Sequence, residues 1–185
     1  MFTTEEKCEL LGIAKDAIER VLLERPAATR LPREGLLVPR GAFVTIRIEG
    51  KLRGCVGYVE SSKPLAEVVD EAAGKAAFED PRFAPLNLAE YRRSSLEISI
   101  LSELRPVSTT DEIRIGTHGV VLEAGPYRGL LLPQVALEYG MDRDGFLDAV
   151  ARKAGLPGFS KVDPSGRLFV FEVETVKETD CVTNA

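Results

Sequence analysis

The sequence predicts an α+β fold, mainly antiparallel β-sheet flanked by helices, and three observations carry that prediction. Short segments of alternating apolar residues are joined by tight turns, as at Ala42 to Ile48 and the stretch that follows Gly50. Two longer segments, Leu10 to Leu22 and Leu65 to Ala77, place apolar residues at helical spacing instead. Hairpins also outnumber strand-helix-strand series, which disfavours a parallel sheet. A chain of 185 residues suffices for one well-packed core, so 1–185 reads as a single domain, with or without a smaller second lobe.

The elements follow in order. Thr3 and Glu6 match a capping box, and the first helix runs to just before Pro26. Three prolines between Arg25 and Arg40 predict an ordered surface loop. Ala42, Val44, Ile46 and Ile48 form the apolar face of a strand, and Gly50-Lys51 turns the chain into its hairpin partner. Pro64 suits a helix start, and the alanines of the helix that follows allow it to lie close on that hairpin. Asp80-Pro81 ends it, Asn87 with Glu90 caps a short helix, and Leu96, Ile98 and Ile100 line the next strand. Beyond Pro106 we expect strands at Ile113–Ile115 and Val120–Glu123 around a Gly116-Thr117-His118-Gly119 turn, then a strand over Gly129–Leu132. Helices over Gln134–Tyr139 and Asp142–Ala154 come next, and a last strand, Leu168–Thr175, leaves a polar tail after Lys177.

Composition excludes several classes. No stretch approaches the ~18 apolar residues of a membrane span, and the acidic start lacks the order of a secretory signal, so we expect a cytoplasmic protein with no membrane contact. A net charge of −5 makes nucleic acid an unfavoured partner. Arg30, Arg33 and Arg40 read as a solvated loop, without interleaved aromatics. Cys8, Cys55 and Cys181, odd in number and far apart, do not predict a disulfide framework. One histidine and scattered cysteines supply no structural zinc site, and no Walker loop, dinucleotide fingerprint or iron-sulfur cluster motif is present. No cofactor and no metal is therefore predicted.

The chemistry concentrates in Leu52-Arg53-Gly54-Cys55-Val56-Gly57, which sets a thiol, a guanidinium and two glycines inside a predicted strand. Glycine within a strand marks a bulge or the close approach of a ligand or backbone. Strict alternation would put Arg53 and Cys55 on one face about 7 Å apart, where a cation favours the thiolate by about 2 kcal/mol. One reading makes Cys55 a nucleophile or acceptor thiol with His118 as its base and Asp80 or Glu97 orienting the imidazole. Gly54 and Gly57 would admit backbone donors to a ligand, and Arg53 or Arg82 would pair a carboxylate or phosphate. The other reading is a non-catalytic module in which the glycine-rich strand, the Asp80–Leu86 loop and Gln134 shape a groove for a peptide or partner. The bland accounts stand beside both: Cys55 as core filler, His118 as a turn residue bonded to its own loop, Asp80 and Arg82 as a mutual ion pair, and Glu97 facing water.

The chain closely resembles the AMMECR family. The carrying residues are Leu52 to Gly57, Asp80-Pro81-Arg82-Phe83 with Pro85-Leu86, Glu97-Ile98-Ser99, Gly116 with His118-Gly119, Leu131 to Ala136, and Lys153 to Leu156. The resemblance implies an α+β domain and a cytoplasmic protein of unestablished biochemical activity. It also implies a contextual link in microbes to a MEMO-like protein and a radical SAM protein, which suggests a shared modification system. Family members often carry Trp after the Tyr139-Gly140 equivalent and Cys at the Ala151 equivalent, whereas this chain has Met141 and Ala151 and no Trp. The first family cysteine, Cys55, is retained.

Overall fold

Helix α1, Thr4–Leu22, starts at its predicted capping box: Thr3 Oγ1 accepts the Glu6 N–H, and the Glu6 carboxylate accepts the Thr3 N–H at 2.8 Å. Its Leu10, Leu11, Ala14, Ala17 and Ile18 are buried. The computed structural model describes residues 1–27, 31–159 and 166–181. Arg30 and the end of the predicted polar tail lie outside them. The chain divides into two compact units, one of Met1–Leu101 with Glu174–Ala185 and one of Ser102–Val173. Both antiparallel sheets carry helices, so the fold is α+β.

The first unit contains β1 (Ala42–Ile48), β2 (Lys51–Tyr58), α2 (Leu65–Phe78), α3 (Leu88–Tyr91), β3 (Ser94–Leu101) and β8 (Val173–Lys177), with strand order β2-β1-β3-β8. The hairpin turn is Glu49-Gly50, one residue earlier than expected. Both residues have positive φ, 52° and 76°, as the two-residue turn that matches strand twist requires. The inner sheet residues Val44, Ile46, Ile98 and Ile100 share a core with Leu10 and Ile18 of α1 and Val69, Ala72 and Ala76 of α2. The alanines of α2 allow the predicted close approach. A Cβ on Gly54 would sit 2.1 Å from the Ala76 carbonyl oxygen, so glycine there lets the helix backbone reach the strand.

A β-bulge sets up that contact. The register runs Ile48↔Lys51 and Arg47↔Leu52, then skips Arg53 to pair Ile46↔Gly54 and Thr45↔Cys55. Without the bulge, Arg53 would oppose Ile46 and point at the helices. The extra residue moves glycine beneath α2 and re-aims the guanidinium.

In the second unit, β4 (Arg105–Val107), β5 (Gly119–Ala124), β6 (Tyr127–Leu131) and β7 (Arg167–Phe171) form a sheet of order β4-β7-β5-β6. Helices α4 (Pro133–Glu138) and α5 (Arg143–Lys153) accompany it. Phe146, Leu147, Val150 and Ala151 of α5 pack with Val120, Leu122 and Val170, as their helical spacing predicted. Three expectations need correction. The predicted strand Ile113–Ile115 does not form: these residues follow a 3-10 turn, Thr110–Glu112, started by a Thr109/Glu112 capping box, and run directly into the turn before β5. Strand β4 was missed because Pro106 interrupts it, which an edge strand tolerates. The predicted last strand breaks at Glu172 into β7 and β8, which belong to different sheets.

The cysteine reading also changes. Cys8 of α1 and Cys181 of the final 3-10 turn, Glu178–Cys181, are disulfide-bonded with Cα atoms 5.4 Å apart, and Cys55 is the free cysteine. A separation of 173 residues hides such a pair, because only the return of the chain to the first unit brings the partners together.

Candidate functional site

Cys55 lies half-buried on β2, at the edge of its sheet, and its main-chain groups on that edge are held by the loop after α2. The Cys55 N–H donates to Asp80 Oδ2 at 2.9 Å, and Arg82 Nη2 donates to the Cys55 carbonyl at 3.2 Å. Arg82 also grips Asp80 through Nε at 2.9 Å and Nη2 at 2.7 Å, and its own N–H donates to Oδ1 at 3.1 Å. The Asp80 side chain is 3% exposed, whereas that of Arg82 is 53% exposed, so a surface cation neutralises a buried carboxylate. The Arg82 guanidinium, and then the Cys55 N–H, hold the Asp80 carboxyl well below the usual carboxylate range. Residues Asp80 to Phe83 thus close part of an exposed strand edge, and fix Cys55 in place.

Arg53 does not serve the thiol as strict alternation implied. The bulge directs it to α3, where Nε and Nη2 pair with the two carboxylate oxygens of Glu90 at 3.0 and 2.9 Å, and Nη2 also donates to the Ala84 carbonyl at 2.8 Å. The Arg53 contact, and next the Asn87 N–H, lower the Glu90 pKa. A guanidinium neutralised by its own carboxylate projects little field onto a thiol. Arg53 and Arg82 both lie over the Phe83 ring, with guanidinium carbons 5.6 and 5.5 Å from its centroid.

The sulfur has a partner that sequence reasoning missed. Thr45 Oγ1 donates to Cys55 Sγ at 3.3 Å. Thr45 opposes Cys55 on β2 and Glu97 on β3, and Glu97 meets Lys177 of β8 at 3.5 Å, so one row of side chains crosses the sheet. In a bulge-free hairpin with this turn, Thr45 would oppose Gly54. The bulge is thus the signal the sequence conceals. Gly57 opposes Phe43, and a Cβ there would fall 2.2 Å from the Ala42 carbonyl oxygen. Close packing of backbone, rather than room for a ligand, accounts for both Gly54 and Gly57.

His118 and Gln134 belong to the second unit. His118 Nδ1 accepts the Arg114 N–H at 3.2 Å, its own N–H donates to the Arg114 carbonyl at 2.9 Å, and Nε2 lies 4.0 Å from Glu172. The buried imidazole is therefore bonded into its own turn. Asp80 and Glu97, expected as its orienting groups, are engaged by Arg82 and Lys177 in the first unit. Gln134 lies in the first turn of α4. Asp80, Arg82 and Cys55 form one directly bonded cluster, and Thr45, Phe83 and Glu90 join it beyond the residues singled out from sequence. Among the described residues, no group of three or more His, Cys, Asp or Glu side chains is arranged to hold a metal ion.

Comparisons with known proteins cover most of the chain. The AMMECR1 family model matches residues 11–176. A protein of Methanothermobacter thermautotrophicus is 42% identical over 145 residues, spanning 75% of this chain and 76% of that relative. Protein MJ0810 of Methanocaldococcus jannaschii is 36% identical over 188 residues, spanning 97% and 94%. The crystal structure of protein PH0010 from Pyrococcus horikoshii matches with a TM-score of 0.84 at 33% identity, covering 92% of this chain and 90% of that one.

Proposed function

The chain belongs to the AMMECR1 family, and from that premise we propose that it is the acceptor subunit of a modification system, with Cys55 as the reactive thiol. The observation that carries this reading is the clamp on Cys55, whose N–H and carbonyl are both held by the Asp80–Arg82 pair while Thr45 donates to the sulfur. A thiol that only fills space has no need of a buried carboxylate to fix its backbone. The Thr45 hydroxyl fixes the direction of the sulfur. An acceptor needs orientation and access and leaves activation to the enzyme that delivers the group, so a His118 base is not required in this reading. MEMO-like and radical SAM proteins are the partners we assign to that delivery, and the cytoplasm is the compartment. Among the described residues no helix is long and apolar enough to cross a membrane.

A second reading, the peptide- or protein-binding module, is favoured by one observation: Arg53 and Arg82 are already paired with Glu90 and Asp80, as befits a scaffold. The test is mass spectrometry of the protein recovered from cells and digested without reduction. An adduct on the tryptic peptide Gly54–Lys75, which keeps the Lys63-Pro64 bond, is the expected result, and it should be absent from Cys55→Ser. An unmodified Cys55 in every preparation, with Cys55→Ser keeping all cellular behaviour, would overturn the acceptor reading and leave the module.

A further inference from the structure

The first unit is made of two chain segments, Met1–Leu101 and Glu174–Ala185, and the intervening residues form the second unit. Apart from the long path through the second unit, Cys8–Cys181 is the one covalent tie between those segments among the described residues. The returning segment is short. Strand β8 is held by its main-chain pairing with β3 at the edge of the sheet and by the fully buried Val176, and polar side-chain contacts add to these: Glu174 with Lys7 and with the Phe2 N–H, Glu178 with Lys15, and Lys177 with Glu97. Partly exposed pairs of this kind contribute little and weaken with salt. The disulfide adds a covalent tie to an edge strand that has one ladder and one fully buried side chain to hold it.

Both cysteines are half-buried. Cys8 lines a groove of about 520 Å³ between α1 and α2, with Gly12, Ile13, Pro32 and Ala66 as its apolar part. The strand that the bond secures supplies Lys177 to the row Cys55, Thr45, Glu97, Lys177 across the sheet. We propose that Cys8–Cys181 is a redox-responsive latch that holds β8 on the sheet of the first unit. A dithiol reductant opens it. The attacking thiolate bonds to the Cys8 sulfur as the S–S bond breaks, and Cys181 leaves as a thiolate that takes up a proton. The second thiol of the reductant then displaces Cys8, leaving a cyclic disulfide on the reductant and two protonated cysteines on the protein. Two electrons and two protons are transferred.

The experiment is hydrogen exchange by mass spectrometry on the full-length protein before and after dithiothreitol, with thiols counted under denaturing conditions. One thiol of the three cysteines is expected before reduction and three after it. Exchange at the amides of 174–177 should rise about tenfold or more on reduction, while β1 and β2 change less than about twofold. Cys181→Ser should match the reduced wild type, and reduction of wild type in place serves if that variant does not fold. Three thiols before reduction would overturn the proposal, as would unchanged protection of 174–177. Loss of protection throughout the chain would also overturn it, by making the bond a staple of the whole fold. Exchange at 174–177 does not depend on the reactivity of Cys55, and an adduct on Cys55 lowers only the thiol count before reduction, so failure here is distinct from failure of the acceptor reading.

Discussion

Removing the Asp80 carboxylate should release Cys55. In Asp80→Ala the Cys55 N–H loses a charged acceptor 2.9 Å away, at the edge of a strand. A hydrogen bond to a charged group contributes about 1.5–3 kcal/mol. The ion pair with Arg82, whose side chain is half exposed, adds at most about 1 kcal/mol. The sum is a loss of about 2–4 kcal/mol, a large share of the ~5–15 kcal/mol that stabilises an ordinary domain. Asp80→Asn keeps an acceptor for the N–H and forfeits the charge, so about half that loss is expected. Urea unfolding reads the difference as a shift in midpoint at constant slope. Alkylation of Cys55 in the same variants should accelerate, because the strand edge is no longer held. If both variants stay within about 0.5 kcal/mol of wild type, the range of an ordinary surface change, the clamp has no energetic content.

Four further outcomes follow from the same geometry. Gly54→Ala should cost about 3 kcal/mol in urea unfolding, since its Cβ meets the Ala76 carbonyl oxygen at 2.1 Å and either helix or strand must shift. Arg53→Gln should change the Cys55 alkylation rate less than about threefold, because that guanidinium is already neutralised by Glu90; a large slowing would restore the direct pairing that alternation implied. Thr45→Val should cost about 0.5–1 kcal/mol in urea unfolding by removing the hydroxyl that bonds the Cys55 sulfur. The fourth concerns acid. Glu71 accepts hydrogen bonds from Lys63, Tyr58 and Lys75, which lower its pKa from 4.5 to about 2. A depressed carboxylate stabilises the fold above its unfolded pKa and loses that contribution as pH falls through the folded one. Stability of the wild type should therefore fall more steeply between pH 4.5 and about 2 than that of Glu71→Gln, as followed by acid-dependent unfolding.

Elements governed by local rules were legible in the sequence, and long-range pairings were not. The capping boxes at Thr3/Glu6 and Asn87/Glu90 and the apolar spacing of α1, α2 and α5 placed those helices. The hairpin was legible too, yet its bulge at Arg53 was not, because a one-residue skip leaves the apolar alternation of β1 untouched. That skip decides the site: it turns Arg53 toward Glu90, seats Gly54 under α2 and brings Thr45 to Cys55. Asp80 and Arg82 were picked out as residues that could act on a ligand or on each other, and they do bond to each other. Their grip on the Cys55 backbone needed the tertiary path of the loop. Glu172 is a single residue between β7 and β8, too short an interruption for periodicity to register a change of sheet.

The most direct test of the central claim is the native-state alkylation rate of Cys55 across a urea series kept below the unfolding transition. An oriented acceptor thiol reacts from the folded protein, so its rate should lie within about tenfold of the unfolded peptide and stay nearly flat as urea rises. A rate many orders slower, climbing with urea in step with global unfolding, would mean that Cys55 reacts only when the domain opens. It would then be core filler, and the acceptor function would have no site.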